Sequence, residues 1–305
     1  MILRLGTRAS TLARTQSGMA AEDLVARATA RGIDLTVELV QISTKGDRTQ
    51  GSLVGLSEVG VFVNALRDSL LSDECDLIVH SLKDMPVGAH PHLNLVAVSE
   101  REDVRDALCA GGLTLAELPQ GARIGTSSPR RAAQVKALRP DLTVDDLRGN
   151  VDSRLARVGH DFDAIILAAA GLARLGRSKE VSQFFEPGQM LPAPGQGALG
   201  IEIRADAPEE LTALVALLDH APTRAAVTAE RATLAVLDAG CSAPVAAHAT
   251  IHGSQMRLTA RVTNIDGTLA LNEADAGPVS NAESIGKSAG WALMGRGAAR
   301  LMGRS

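Results

Sequence analysis

Apolar residues along this chain fall into short runs that alternate with stretches of helical period. The runs Ile2–Leu5, Leu35–Ile42, Leu77–Val79, Leu93–Val98, Arg123–Gly125 and Ala164–Ala168 read as strands. Between them, Thr11–Ala30, Val61–Leu71, Pro129–Leu138 and Val151–Val158 read as helices. That rhythm predicts an α/β fold with a largely parallel sheet. Two stretches break it. Ser99–Asp103 is a polar run, and Glu186–Gly197 is rich in Pro and Gly, so both read as crossings between domains. Beyond them the pattern predicts a strand over Ala198–Ile203 and helices over Glu209–Leu218 and Pro222–Asp238. The last has Val227, Leu234 and Leu237 on one face and Gly240 as its stop. Strands at Val245–Ile251 and Met256–Val262, a turn at Asp266-Gly267 and a helix over Ala282–Leu301 then form a small α+β tail.

Length agrees with two domains or three, since 305 residues is about twice a common domain size. With 45% hydrophobic and 22% charged residues the chain is globular rather than disordered. Four Phe, one Trp and no Tyr leave little for base stacking or a membrane-interface belt. Three cysteines, Cys75, Cys109 and Cys241, form no CxxC pair, which gives neither a disulfide framework nor a zinc site. The first residues read as a strand rather than a signal peptide, and no apolar run reaches a membrane span. The expected setting is the reducing cytoplasm.

Charge sharpens this picture. The net charge of −4 argues against binding nucleic acid over the whole surface. Yet Arg123–Lys179 holds 11 basic and 6 acidic residues, an excess of +5, so the remainder carries −9. Of the 31 basic residues 26 are Arg, which reads either as genomic composition or as function.

The basic segment opens with Ile124-Gly125-Thr126-Ser127-Ser128-Pro129-Arg130-Arg131. Ser128 suits an N-cap and Pro129 a first helical position. Three hydroxyls, two Arg and a helix start in one place read as an anion clamp, or else as a capped helix with solvated arginines. Gly6-Thr7-Arg8-Ala9-Ser10, with Ser10 as cap, and Leu147-Arg148-Gly149-Asn150, with Asn150 as cap and Arg154 one turn on, are two more strand-to-helix junctions carrying Arg. Open α/β sheets bind ligands at such ends. In Val79-His80-Ser81-Leu82-Lys83-Asp84-Met85-Pro86, Lys83 and Asp84 read as an anion anchor and an acid–base carboxylate, or as a turn with a solvated ion pair. His80 reads as a packed, hydrogen-bonded histidine. Cys241, in Ala239-Gly240-Cys241-Ser242-Ala243-Pro244, reads by pattern as a buried filler rather than a nucleophile.

Taken together these motifs resemble the porphobilinogen deaminase (hydroxymethylbilane synthase) family. Thr7–Ser10, Thr44-Lys45-Gly46-Asp47, His80–Asp84, Gly125–Arg131, Leu147–Asn150, Asp163–Ala168, Ala170–Gly176, Pro194–Ala198 and Gly240-Cys241 match in family order. The resemblance implies two periplasmic-binding-protein-like α/β domains hinged around a cleft, plus a small α+β C-terminal domain. The division expected is 1–99 plus 198–218, then 100–197, then 219–305. It implies an enzyme, a transferase, that joins four porphobilinogen molecules head to tail with loss of ammonia. Growth occurs on a dipyrromethane cofactor held by a thioether to Cys241, and water then releases hydroxymethylbilane. No metal is implied, and the small-molecule substrate is the partner expected of a monomer.

Six pyrrole rings bearing two acids each present 12 carboxylates, and the resemblance assigns donors to them. For the cofactor these are Lys83, Ser81, Thr126, Ser127, Ser128, Arg130, Arg131, Arg148 and Gln196; for substrate, Arg8, Ser10, Arg154 and Arg174, with Phe62 as an apolar wall of the substrate site. Asp84 takes the catalytic role, steadying the azafulvenium cation left when ammonia departs. One segment departs from the family pattern. Gly55-Leu56-Ser57-Glu58-Val59-Gly60-Val61-Phe62 lacks the lysines of a Gly-Gly-Lys-Gly-type loop, which removes any lid salt bridge from them. The rival reading is a non-catalytic bilobal protein that binds carboxylates or a tetrapyrrole.

Overall fold

A computed structural model describes residues 1–42, 58–240 and 243–303, without the side chains of 58–62. Cys241, the 44–57 stretch and the Phe62 side chain therefore lie outside the described residues. The chain divides into two compact units, Met1–Arg101 with Ala198–Arg224, and Glu102–Gly197 with Ala225–Ser305.

The chain opens with β1 (Ile2–Arg8), α1 (Thr11–Thr29), β2 (Thr36–Ile42), α2 (Glu58–Leu71), β3 (Leu77–Ser81) and β4 (Leu93–Val98). Next come β5 (Asp106–Cys109), β6 (Arg123–Gly125), α3 (Pro129–Leu138), β7 (Thr143–Asp145) and α4 (Val151–Leu155). They are followed by β8 (Ala164–Ala168), α5 (Ala169–Arg174), β9 (Gln183–Phe185), β10 (Leu199–Arg204) and α6 (Glu209–Val215).

The first unit holds a five-stranded sheet in the order β2-β1-β3-β10-β4. β1, β2 and β3 run parallel, while β10 is antiparallel to both its neighbours. Residue alternation sends Leu3, Leu5, Leu77, Val79, Ile201 and Ile203 to the face covered by α1. Ile78 joins Ile42, Leu66, Leu70 and Cys75 in a second cluster under α2. Each fully buried Leu or Ile contributes about 1.5–3 kcal/mol, so a sheet covered on both faces is the main store of stability.

In the second unit the order is β7-β6-β8-β5-β9, with β6, β7 and β8 parallel and β5 antiparallel to both neighbours. Each sheet thus places one antiparallel strand fourth in an otherwise equivalent order. In one sheet that strand follows a crossing directly, and in the other it is the strand that returns. Strands as short as β5, β7 and β9 gave no sequence pattern of their own.

The second unit also contains most of α7 (Ala221–Val236), then β11 (Val245–His252), β12 (Gln255–Thr263), β13 (Ala270–Pro278), α8 (Ala282–Gly295) and α9 (Ala298–Leu301). β11, β12 and β13 form an antiparallel sheet whose inner face packs on the helices. Two boundaries differ from expectation. Asp238, at φ 46°, rather than Gly240, takes the left-handed position after α7. The last predicted helix breaks at Gly297, whose φ is 90°, into α8 and α9.

Two contacts fix α3. The first is the β12–β13 hairpin tip. Gly267 sits there at φ +76°, and a Cβ on it would strike the carbonyl oxygen of Ala133 in α3. The second is a buried polar network centred on Asp106. Arg130 donates to Asp106 Oδ2 at 2.6 Å and to Leu191 O at 2.8 Å. Arg131 donates through Nε to Asp106 Oδ1 at 2.9 Å and through a terminal nitrogen to Ile166 O at 3.0 Å. Gln196 Nε2 donates to Asp106 Oδ1 at 3.0 Å. Gln134 bonds both the amide and the carbonyl of Leu191 and accepts from Arg261 of β12 at 2.9 Å.

Both contacts predict a stability loss, measured by urea unfolding. Gly267→Ala meets a positive φ and a backbone clash together, and is expected to cost about 2–3 kcal/mol. Asp106→Asn leaves two buried guanidiniums without their counter-charge, and is expected to cost about 3–5 kcal/mol.

Candidate active site

In the first unit the parallel strands bring the ends of β1 and β3 side by side, paired at Leu5–Leu77 and Gly6–Ile78. Arg8 closes β1, and Ser10 caps α1 by accepting from the Ala13 amide at 3.3 Å. Ser17 donates to Thr7 Oγ1 at 2.9 Å, and Gln16 Nε2 donates to Ser81 Oγ at 3.0 Å, so α1 ties both strand ends together. After Ser81 the chain makes one 3-10 turn over Leu82–Asp84. Leu82 is fully buried, its amide donating to Ala198 O at 3.0 Å, and Met85 is buried as well. Two apolar anchors therefore hold a turn whose polar residues, Lys83 and Asp84, are half-buried between them.

In the second unit β6, β7 and β8 are parallel neighbours, so the segments after them share one edge of the sheet. The β6 end supplies Thr126, Ser127 and Ser128. The Thr126 amide donates to Asp145 O at 3.0 Å, and Thr126 Oγ1 accepts from the Ser128 amide at 3.2 Å. Ser128 caps α3 by accepting from the Arg131 amide at 3.4 Å, with Pro129 at the first position as the sequence predicted. Ser127 is exposed. The β7 end supplies Arg148, exposed and donating to Asp146 at 2.9 Å, and Asn150, which caps α4 by accepting from the Ser153 amide at 2.8 Å. Arg154 lies half-buried in α4. The β8 end supplies Arg174, at the close of α5.

The electrostatics of this edge are specific. Burial alone would raise the Asp106 carboxyl, but the two guanidiniums outweigh it and hold the group well below the usual carboxylate range. Two cations against one anion leave the buried cluster at +1. Arg174 is a second such source. It donates to Gly197 O at 2.6 Å, its Nε is buried without a hydrogen-bond partner among the described residues, and burial pushes its pKa down despite Glu102. A desolvated guanidinium with a spare donor is suited to a carboxylate. The opposite end of α3 lacks this character. Its cavity is lined by Leu115, Leu138, Phe185 and Arg139, and Arg139 is already paired with Asp141 at 2.7 Å.

The structure thus gathers Arg8, Ser10, Ser81, Lys83 and Asp84 in one unit, and Thr126, Ser127, Ser128, Arg130, Arg131, Arg148, Arg154, Arg174 and Gln196 in the other. The forks of Arg130 and Arg131, read from sequence as ligand clamps, are given to Asp106. Gln196 is completely buried and also donates to Val104 O at 2.8 Å. His80 is buried and hydrogen-bonded, as its sequence context suggested. Three buried acids went unnoticed in the sequence. Asp106 followed a polar run and gave no signal. Glu202, between Ile201 and Ile203 in a strand, could have been suspected. Glu230 in α7 accepts from the Gly195 amide at 2.7 Å and the Ala249 amide at 2.8 Å, fastening the Pro194–Gly197 stretch.

The chain matches two family models. One, "porphobilinogen deaminase, dipyromethane cofactor binding domain", covers residues 3–212, and the other, "porphobilinogen deaminase, C-terminal domain", covers residues 224–295. It is 52% identical to a porphobilinogen deaminase of Thermobifida fusca over 88% of this chain and 83% of that protein. It is 50% identical to that of Leifsonia xyli over 90% and 83% of the two chains, and 47% identical to that of Acidothermus cellulolyticus over 99% and 91%. Among solved structures, the second substrate-binding domain of a putative amino acid ABC transporter from Streptococcus pneumoniae superposes with a TM-score of 0.42. The identity is 12%, over 70% of this chain and 90% of that one. The repeated strand order, rather than that superposition, defines the fold. With models matching nearly its whole length and relatives near half identity, the chain belongs to the porphobilinogen deaminase family.

Proposed function

We propose that this protein is a transferase of tetrapyrrole synthesis that condenses four porphobilinogen molecules, releasing ammonia at each step and finally hydroxymethylbilane. A dipyrromethane primer, thioether-linked to Cys241, supplies the nucleophilic pyrrole on which the chain grows. The observation that carries the reading is the donor set at the β6-β7-β8 edge. Arg174 keeps a buried Nε with no hydrogen-bond partner among the described residues, and the Asp106 cluster sets two guanidiniums against one carboxylate. Burying carboxylates is tolerable only against such partners.

The chain's own residues divide the work. Thr126, Ser127, Ser128, Arg148 and Ser81, with Lys83, hold the primer's acids. Arg130, Arg131 and Gln196 supply their charge and orientation through Asp106. Arg8, Ser10, Arg154 and Arg174 receive the acids of incoming substrate, with Phe62 as an apolar wall. Asp84, presented by its anchored turn, holds its carboxylate against the positive charge that develops as ammonia leaves, and shuttles the proton at Oδ. The domain division is 1–99 with 198–218, 100–197, and 219–305. The protein acts as a monomer in the cytoplasm, a reducing compartment that suits the buried, free thiols of Cys75 and Cys109. Among the described residues no helix is long and apolar enough to cross a membrane.

Two variants test the reading. Asp84→Asn is expected to keep the dipyrrole adduct by intact mass while porphobilinogen consumption falls about 100-fold or more. Near-normal ammonia release by that variant removes Asp84 from the mechanism. Cys241→Ala is expected to purify without the adduct, and a two-pyrrole mass still present on it places the tether elsewhere. A merely binding protein would release no ammonia from porphobilinogen even with the primer attached.

A further inference from the structure

Behind the Lys83–Asp84 turn the first unit buries three polar side chains that the reaction does not use. Arg67 of α2 grips Glu202 of β10 with two prongs, Nε to Oε2 at 2.9 Å and a terminal nitrogen to Oε1 at 2.6 Å. His80 Nε2 of β3 lies 3.1 Å from Glu202 Oε2. All three residues are buried. Burial alone would raise the Glu202 carboxyl, but the hydrogen bonds from His80 and Arg67 outweigh it and pull it down to about 2.

A buried ion cluster is weak as a source of stability, because well-packed apolar residues serve as well or better. What it supplies is direction, since its hydrogen bonds fix angle and register where dispersion contacts allow sliding. The register here leads to the turn. His80 pairs across the ladder with Gly200. A Cβ on Gly200 would lie 2.8 Å from Met85 Sδ and 2.9 Å from Leu82 Cδ1, the two anchors of the turn. Gly200 and Glu202 are successive positions on one face of β10. One seats the turn and the other clamps the strand that delivers it.

We propose that Glu202 is a positioning residue of this enzyme, which through His80 and Arg67 locks the end of β3 and so fixes where Asp84 stands. The inference rests on the role given to Asp84 above. Misplacing a reacting group by an ångström can cost about 100-fold in rate, so a partial loosening is expected to be visible in turnover.

The test uses the cofactor-loaded enzyme, with kcat expressed per loaded molecule by intact mass. Glu202→Gln keeps the shape and removes the charge. It is expected to lower kcat about tenfold with KM for porphobilinogen within about twofold, the split of a misplaced catalytic group. The Leu82 and Met85 amides are expected to exchange hydrogen about tenfold faster. Arg204→Gln, on the same strand, removes a pair with the exposed Asp73, a bond to Leu70 O at 3.2 Å and a longer contact with Asp206, but leaves the Glu202 cluster intact, and is expected to stay within about twofold in both readouts. If Glu202→Gln does not accumulate, His80→Gln, which spares the Arg67–Glu202 pair, is expected to show the same split in smaller measure. Wild-type kcat per loaded molecule and wild-type exchange in these variants, with Asp84→Asn inactive, overturn the proposal even if melting temperature falls. An active Asp84→Asn overturns the reading of Asp84 itself, and the proposal with it.

Discussion

One carboxylate, Asp106, sits fully buried against two guanidiniums and an amide, and the second unit is organised around it. Removing two cations and an anion from water is costly, and only close, directed pairing offsets it. That requirement fixes several pieces at once. The start of α3 is held by Arg130 and Arg131, the 191–197 stretch by Leu191 O and Gln196, and β8 by Ile166 O. The same arithmetic sets two guanidiniums against one carboxylate at the start of α3. The excess of positive charge here is thus a consequence of how this unit solves its own burial problem.

The third sheet contributes to the same end. Gly267 lets the β12–β13 tip approach the backbone of α3, and Arg261 reaches Gln134. Glu230 holds Gly195 from the other side. The C-terminal part of the chain therefore braces α3 and the 194–197 stretch. In the first unit a comparable economy operates. Leu82 and Met85 are buried over Gly200, and the two polar residues between them are presented as a result.

Much of this was legible in the chain. The alternation of strand and helix, the caps at Ser10, Ser128 and Asn150, and the hydroxyl and Arg residues after strands all stand in the structure. Each is a local preference expressed within a few residues. The family motifs added the chemistry, which periodicity alone left open between a functional turn and a solvated ion pair at Lys83–Asp84.

Other features depended on partners distant in sequence. Asp106 and Arg130 are 24 residues apart and Arg67 and Glu202 are 135 apart, and nothing in either neighbourhood names the other. The strands β5, β7 and β9 are three or four residues long and take their place from the neighbouring strands they pair with. The sequence by itself determined the element types, the capped helix starts and the residue types of the site, because these are set by local backbone and side-chain preferences. Only the tertiary structure decided which arginines are spent on a buried acid, because the cost of desolvating a charge depends on what the fold places beside it.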